Sequence, residues 1–99
     1  MSAYAEPIPE SDELVDQEWA VYGGVLTNLQ ERTTKKGDMM AIFTLEDLQS
    51  MIEVIVFPKT YVKVRHLLKE HEVVYVSGRV QVTDEKRNFI CESLDVLHV

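Results

Sequence analysis

The chain has 99 residues with a formal charge of −7, three histidines and one cysteine. This length suits one domain that buries a core without disulfides or metal, and a lone cysteine excludes an internal disulfide framework and fits a reducing, cytoplasmic setting. No run approaches the roughly 20 apolar residues of a membrane span, and the acidic N-terminal stretch is opposite in character to a signal peptide.

The negative charge is unevenly spread. Residues 1–20 carry Glu6, Glu10, Asp12, Glu13, Asp16 and Glu18 and no Lys or Arg. With 17 acids and 10 bases in all, eleven acids face the ten bases in residues 21–99, so that portion is near neutral. A near-neutral domain can still carry local basic patches. Residues 1–17, with Pro7, Pro9, Ser11 and most of those acids, read as an acidic flexible tail or linker.

From Trp19 the pattern changes. Val21, Gly23 and Val25 alternate with Tyr22, Gly24 and Leu26, the period of a strand. Two glycines inside it mark a bend or a close backbone approach. The basic turn Thr33-Thr34-Lys35-Lys36-Gly37 follows. A second strand, about Asp38 to Glu46, sends Met39, Ala41, Phe43 and Leu45 to one side and Met40, Ile42 and Thr44 to the other. After a polar corner at residues 47–50, a third strand sets Ile52, Val54 and Val56 opposite Met51, Glu53, Ile55 and Phe57.

Pro58 breaks the two-residue period. Tyr61, Val64 and Leu68 then fall at helical spacing, predicting a short amphipathic helix over residues 59–69. A fourth strand, Val73 to Val82, is interrupted by Gly78. The polar turn Thr83-Asp84-Glu85-Lys86-Arg87-Asn88 leads to a fifth strand from Phe89 to Val96. Five strands with one helix between the third and fourth, and basic turns after the first and fourth, describe an all-β OB-fold barrel, a Greek key that binds oligonucleotides on its second and third strands and in those two turns. The expected domain therefore spans residues 18–99.

Four segments carry a resemblance: TKKG (Thr34–Gly37), MAIFTLED (Met40–Asp47), IEVIVFP (Ile52–Pro58) and VSGRV (Val76–Val80). In this order and spacing they resemble the OB-fold domain of the α subunit of bacterial DNA polymerase III, the C-family replicative polymerase, over about residues 20–97. LED and SGRV by themselves also resemble anticodon-binding domains of aminoacyl-tRNA synthetases. The resemblance implies a non-catalytic module that contacts single-stranded template, is a piece of a much longer chain, and has other polymerase domains and replisome proteins as partners. It points to the turn Thr34–Gly37, the second-strand face and Arg79.

The candidate nucleic-acid-binding residues follow from that turn-and-face arrangement. Arg32, Lys35 and Lys36 can track phosphates from the first turn, and Lys86 and Arg87 from the second, although Asp84 and Glu85 offset the latter pair. Met40, Ile42 and Phe57 offer an apolar surface to bases, with only Phe57 aromatic; Tyr22 and Tyr75 join them if their strands turn them outward. Arg79 can serve a phosphate or pair with Glu53 or Glu92. A face so poor in aromatics predicts weak, sequence-tolerant binding, or docking of another protein domain in its place. An anticodon-binding role would call for an aromatic where Ile42 stands.

Catalytic and metal chemistry find no support. His66, His71 and His98 lack ligand spacing with Cys91, which reads as a small buried hydrophobe. Glu46 and Asp47 are adjacent on a strand and point apart, a poor acid/base pair. No cofactor is expected.

Overall fold

A computed structural model of the protein describes residues 5–97. Five strands close into a barrel: β1 (Trp19–Thr33), β2 (Met39–Glu46), β3 (Met51–Val56), β4 (Val73–Val82) and β5 (Arg87–Val96), joined in the order β1-β2-β3-β5-β4. All neighbours are antiparallel except β3 and β5, which run parallel where the chain crosses over. A short helix, α1 (Pro58–Val64), sits between β3 and β4. The five-stranded OB-fold expected from the pattern is the fold observed.

The strand alternation sorts side chains as the sequence implies. Ala41, Phe43 and Leu45 of β2, Ile52, Val54 and Val56 of β3, and Val74, Val76 and Val80 of β4 point into the barrel and are buried. Met40, Ile42 and Thr44, with Ile55 on β3, are half-buried on the outside, while Met39 at the end of β2 is exposed. Tyr22 is also inside, its ring 4.9 Å from that of Phe89. Burial pushes its phenol up to about 12, with Glu6 and Glu18 adding to the effect. It is thus a core residue and offers no stacking surface, whereas Tyr75 is half-buried.

β1 is 15 residues long because it serves two neighbours. Trp19 to Val25 pair with β4, and Val25 to Thr33 pair with β2. At the changeover, a Cβ on Gly24 would lie 2.4 Å from the Glu46 carbonyl oxygen. The pairing with β2 then slips by one residue between Thr27 and Gln30, and Asn28 takes a φ of 51°. This bulge bends the strand over the barrel mouth. β4 and β5 carry a second slip beside Gly78.

Three boundaries depart from expectation. The helix predicted over residues 59–69 stops at Val64 and tightens into a 3-10 turn, Arg65–Leu67. Tyr61, Val64 and Leu68 nonetheless all reach the core, so the apolar spacing was informative about burial but not about helix length. β5 begins at Arg87, two residues before Phe89, because the Thr83–Lys86 turn is tight enough to pair Val82 with Arg87.

The third concerns the acidic segment. From Ala5 onward it is laid along the barrel. Ile8 is only 1% exposed and belongs to the core cluster. Glu6 forms a bridge to Tyr22, and the Glu6 N–H donates to the Val21 carbonyl at 2.7 Å. Further on, Gln17 N–H donates to Val80 O at 2.7 Å and Val80 N–H to Glu18 O at 2.9 Å. The overall acidity of residues 1–17 masks a single well-placed isoleucine. Residues 1–4 and His98 lie outside the described residues.

Cys91 is buried, as its neighbours Ile90 and Phe89 suggest. Burial, with Glu92 adding to it, pushes its thiol up to about 12. The native protein should therefore react with Ellman's reagent at pH 8 about a hundredfold or more slowly than free cysteine, and at the ordinary rate once unfolded in denaturant. Fast labelling of the native protein would show that β5 opens locally.

Candidate nucleic-acid interface

The connection between β1 and β2 is built to present its two lysines. The Thr34 N–H donates to Asp38 O at 2.7 Å, and Gly37 N–H to Thr34 O at 2.9 Å. The Asp38 N–H also donates to the Thr34 hydroxyl at 3.2 Å. Gly37 has a φ of 90°, a conformation that an L side chain resists. This closes the turn and leaves Lys35 and Lys36 exposed at its tip, and among the described residues neither ammonium has an acid partner.

The connection between β4 and β5 is pinned in a similar way. Thr83 N–H donates to Lys86 O at 2.8 Å, and Lys86 N–H returns to the Thr83 hydroxyl at 3.0 Å. These bonds fix the backbone of Lys86, which lines a groove together with residues of β1 and β2.

Between the two connections lies a groove of about 360 Å³. Its walls are Asn28, Gln30 and Arg32 from β1, Ile42 and Thr44 from β2, Glu53 from β3 and Lys86 from the far turn, with Phe43 beneath. Three of the sequence candidates, Arg32, Ile42 and Lys86, come together here from three separate elements. The Arg32 guanidinium donates to the Gln30 side-chain oxygen, which fixes it along the groove wall.

The remaining candidates are dispersed. Met40 faces Arg32 across the β1–β2 ladder. Phe57 is exposed just past β3, where it caps α1. Arg87, at the start of β5, is exposed and outside the groove lining. Arg79 stands apart. The register runs from Ile42 to Ile55 to Ile90 to Arg79, with β3 and β5 between them. Across β1, Arg79 pairs with Trp19 whereas Ile42 pairs with Gln30, far along that strand. Its guanidinium donates to Gln17 at 3.0 Å and lies 3.7 Å from the Glu92 carboxylate. Of the two acids that sequence reasoning offered it, the structure pairs it with Glu92.

Four polar wall residues escaped the sequence reading: Asn28, Gln30, Thr44 and Glu53. Alternation already placed Thr44 and Glu53 on the outer face with Ile42 and Ile55. The missing signals were the bulge, which brings Asn28 and Gln30 to the mouth, and the parallel pairing of β3 with β5. That pairing sets Glu53 beside Asn88. Asn88 is the single buried polar residue among those described, at 6% exposure. In the amide orientation its surroundings favour, its nitrogen donates to Glu53 Oε1 and to the Arg87 carbonyl, both at 3.1 Å.

The groove has polar walls, cations at its rim and an apolar strip (Ile42, Ile55) leading out of it. No group of three or more His, Cys, Asp or Glu side chains that could hold a metal occurs among the described residues.

Residues 21–97 match the family described as OB-fold nucleic acid binding domain, of the tRNA anticodon type. The chain belongs to this family. As an OB-fold nucleic acid binding domain it is a binding module and not a catalytic one. It is also similar to DNA polymerase III α subunits: 39% identical over 82 residues to that of Aquifex aeolicus, covering 83% of this chain and 7% of the relative. To the Mycobacterium tuberculosis subunit it is 36% identical over 74 residues, covering 75% of this chain and 6% of the relative. The chain thus spans a small fraction of those proteins. Among solved structures, a mitochondrial single-stranded DNA binding protein of S. cerevisiae, Rim1, superposes with a TM-score of 0.66 at 12% identity, covering 84% of this chain and 97% of that one. The S. pombe Stn1–Ten1 complex superposes with a TM-score of 0.67 at 15% identity, covering 82% and 59% respectively. At these identities the structural likenesses speak for the fold alone.

Proposed function

We propose that this OB-fold domain binds single-stranded DNA along the groove between its two basic turns, as the template-contacting module of a bacterial replicative polymerase α subunit working in the cytoplasm. The observation that carries this reading is the convergence of Arg32, Ile42 and Lys86, from β1, β2 and the β4–β5 turn, on one open groove. Lys35 and Lys36 extend its basic rim at the tip of the first turn. Cations at both ends of a polar channel suit a chain of phosphates, and the strip of Ile42 and Ile55 gives unstacked bases a surface to leave water. The similarity to α subunits supports the replicative setting, with other domains of that subunit and replisome proteins as neighbours.

The test is fluorescence anisotropy of a labelled thymidine oligomer at low and physiological salt, with Lys35→Glu/Lys36→Glu alongside. Wild type should bind in the micromolar range and weaken steeply with salt, because each neutralised phosphate releases a counterion. The double reversal should lower affinity about tenfold or more at low salt. Absence of binding by wild type at low salt would sink the reading.

A second reading has its own observation. Toward the β2–β3 corner a mostly apolar cleft of about 450 Å³ is bordered by Val25, Leu48 and Val73, all partly or wholly exposed, with Thr27, Glu46 and Asp47 also on its walls. A protein-docking module with little DNA affinity of its own would use such a surface. The charge reversal in the first turn would leave that docking unchanged. An anticodon-binding role, suggested by the family's type, predicts preference for a tRNA stem-loop over the thymidine strand.

A further inference from the structure

The groove contains a feature that phosphate binding alone does not account for. Glu53, a full negative charge, stands on its β3 wall between Thr44 on β2 and Asn88 on β5. A carboxylate facing a polyanion repels it, unless the carboxylate accepts hydrogen bonds from a base. Glu53 is also held in place: the buried Asn88 amide donates to its Oε1 at 3.1 Å. One donor leaves Oε1 a second lone pair, and Oε2 has no donor among the described residues, so both oxygens can still accept.

Resting on the single-strand-binding reading above, we infer that the Glu53 carboxylate, oriented by Asn88, reads the Watson–Crick edge of one unstacked base and selects guanine. An ionised carboxylate only accepts. Guanine alone places two donors, N1–H and N2–H, side by side on that edge, which two carboxylate oxygens take together. Cytosine and adenine each set one amino donor next to a ring-nitrogen acceptor, whose lone pair opposes the second oxygen. Thymine has a single N3–H between two carbonyl oxygens, both repelled. Guanine O6, next to its N1–H, would in turn face the cationic side of the groove supplied by Arg32 and Lys86. Thymine meets the same carboxylate as a penalty. The groove therefore tolerates any strand on its phosphates and adds discrimination at one position.

The test compares four 12-nucleotide strands by anisotropy at low salt: all thymidine, and the same strand with one central guanine, cytosine or adenine. A single guanine avoids quadruplex formation. Each strand is titrated with wild type and with Glu53→Gln. The amide oxygen of that variant still accepts from Asn88, so the barrel should keep its melting temperature. Wild type should bind the guanine strand about tenfold more tightly than the thymidine strand, the discrimination expected of a bidentate contact, and more tightly than the cytosine and adenine strands. In Glu53→Gln the guanine-to-thymidine ratio should fall toward one, while affinity for the thymidine strand holds or rises because a repelling charge is gone. Equal binding of all four strands by wild type would overturn the inference. So would a guanine preference that survives in Glu53→Gln. If no strand binds wild type, the single-strand-binding reading itself falls, a result distinct from binding without preference.

Discussion

Gly78→Ala should destabilise the barrel more than any other single-methyl addition among its glycines. A Cβ at this position would stand 1.9 Å from the Ile90 carbonyl oxygen and 3.2 Å from the Glu92 nitrogen. Both obstacles are backbone of the neighbouring strand, so no side chain can swing aside. Here β4 and β5 slip register between Ser77 and Gly78, and the bulge lets the two main chains approach closely. To admit a methyl group, β5 must move away. The Gly78–Cys91 and Arg79–Ile90 pairings would then be lost, along with tight packing of Val76, Val80 and Phe89. A loss of about 3 kcal/mol or more is expected, which for a domain of this size lowers the melting temperature by about 12 °C or more. Gly24→Ala should act in the same direction, since its Cβ would meet the Glu46 carbonyl oxygen at 2.4 Å. Gly23→Ala is the control. Its nearest neighbours are the Tyr75 ring at 3.3 Å, which can tilt, and the Ala5 Cβ at 3.2 Å, which yields by a small shift of the N-terminal segment, and a change within about 1 kcal/mol is expected. Thermal melts of the three variants check the order, and a Gly78→Ala protein as stable as Gly23→Ala would contradict it.

These glycines show what the sequence made legible and what it did not. A glycine pair within an alternating run signals a bend or close approach, and that much was readable for Gly23 and Gly24, while Gly78 read only as an interruption of the fourth strand. Which one touches foreign backbone depends on register across the barrel. Strand identity was equally readable, because burial on one face forces apolar residues into every second position. The parallel β3–β5 contact was implied only by the fold type. Its consequence, Glu53 beside Asn88, was therefore invisible. Alternation gave Glu53 an outward face, and sequence reasoning offered it only Arg79 as a partner.

Average charge misled at the N-terminal segment. Averaged over residues 1–17, acidity argues for a solvated tail. Folding, however, responds to individual contacts, and one buried Ile8 with a few backbone hydrogen bonds is enough to lay residues 5–18 on the barrel. For Arg79, which follows Gly78 in a segment resembling polymerase modules, sequence reasoning offered a phosphate or a pairing with Glu53 or Glu92. The structure gives it Gln17 and Glu92, and the first of these lies in that same N-terminal segment. The basic turns were easier to read. Lysines in a short loop closed by glycine have no nearby element to hide them, and Lys35 and Lys36 emerge exposed.

Asp47→Ala should release the N-terminal segment and unfasten the β2–β3 corner together. Its Oδ2 accepts from the Ile8 N–H at 2.7 Å, and its Oδ1 from the Gln49 and Ser50 N–H groups, both at 2.8 Å. The Ser50 hydroxyl adds a bond to the Pro9 carbonyl at 3.2 Å, so corner and segment are tied at two points. Burial acts to raise the Asp47 pKa, but the three backbone donors outweigh it and hold the carboxyl below its ordinary 3.8. Alanine leaves those donors without their acceptor. Water can replace it at the exposed Gln49 but less readily at Ile8, so a loss of about 2–3 kcal/mol is expected. Hydrogen exchange should quicken at the amides of Ile8 and Ser50 well before the barrel strands respond, because the segment can lift while the barrel stays closed. The acid dependence follows from the depressed pKa. The contribution of ionised Asp47 is complete above the unfolded value near 3.8 and fades as pH falls through the lower folded value. Wild type and Asp47→Ala should therefore differ most at neutral pH and converge in stability below that folded value. A difference that persists unchanged in strong acid would mean that Asp47 holds the segment by shape and not by charge.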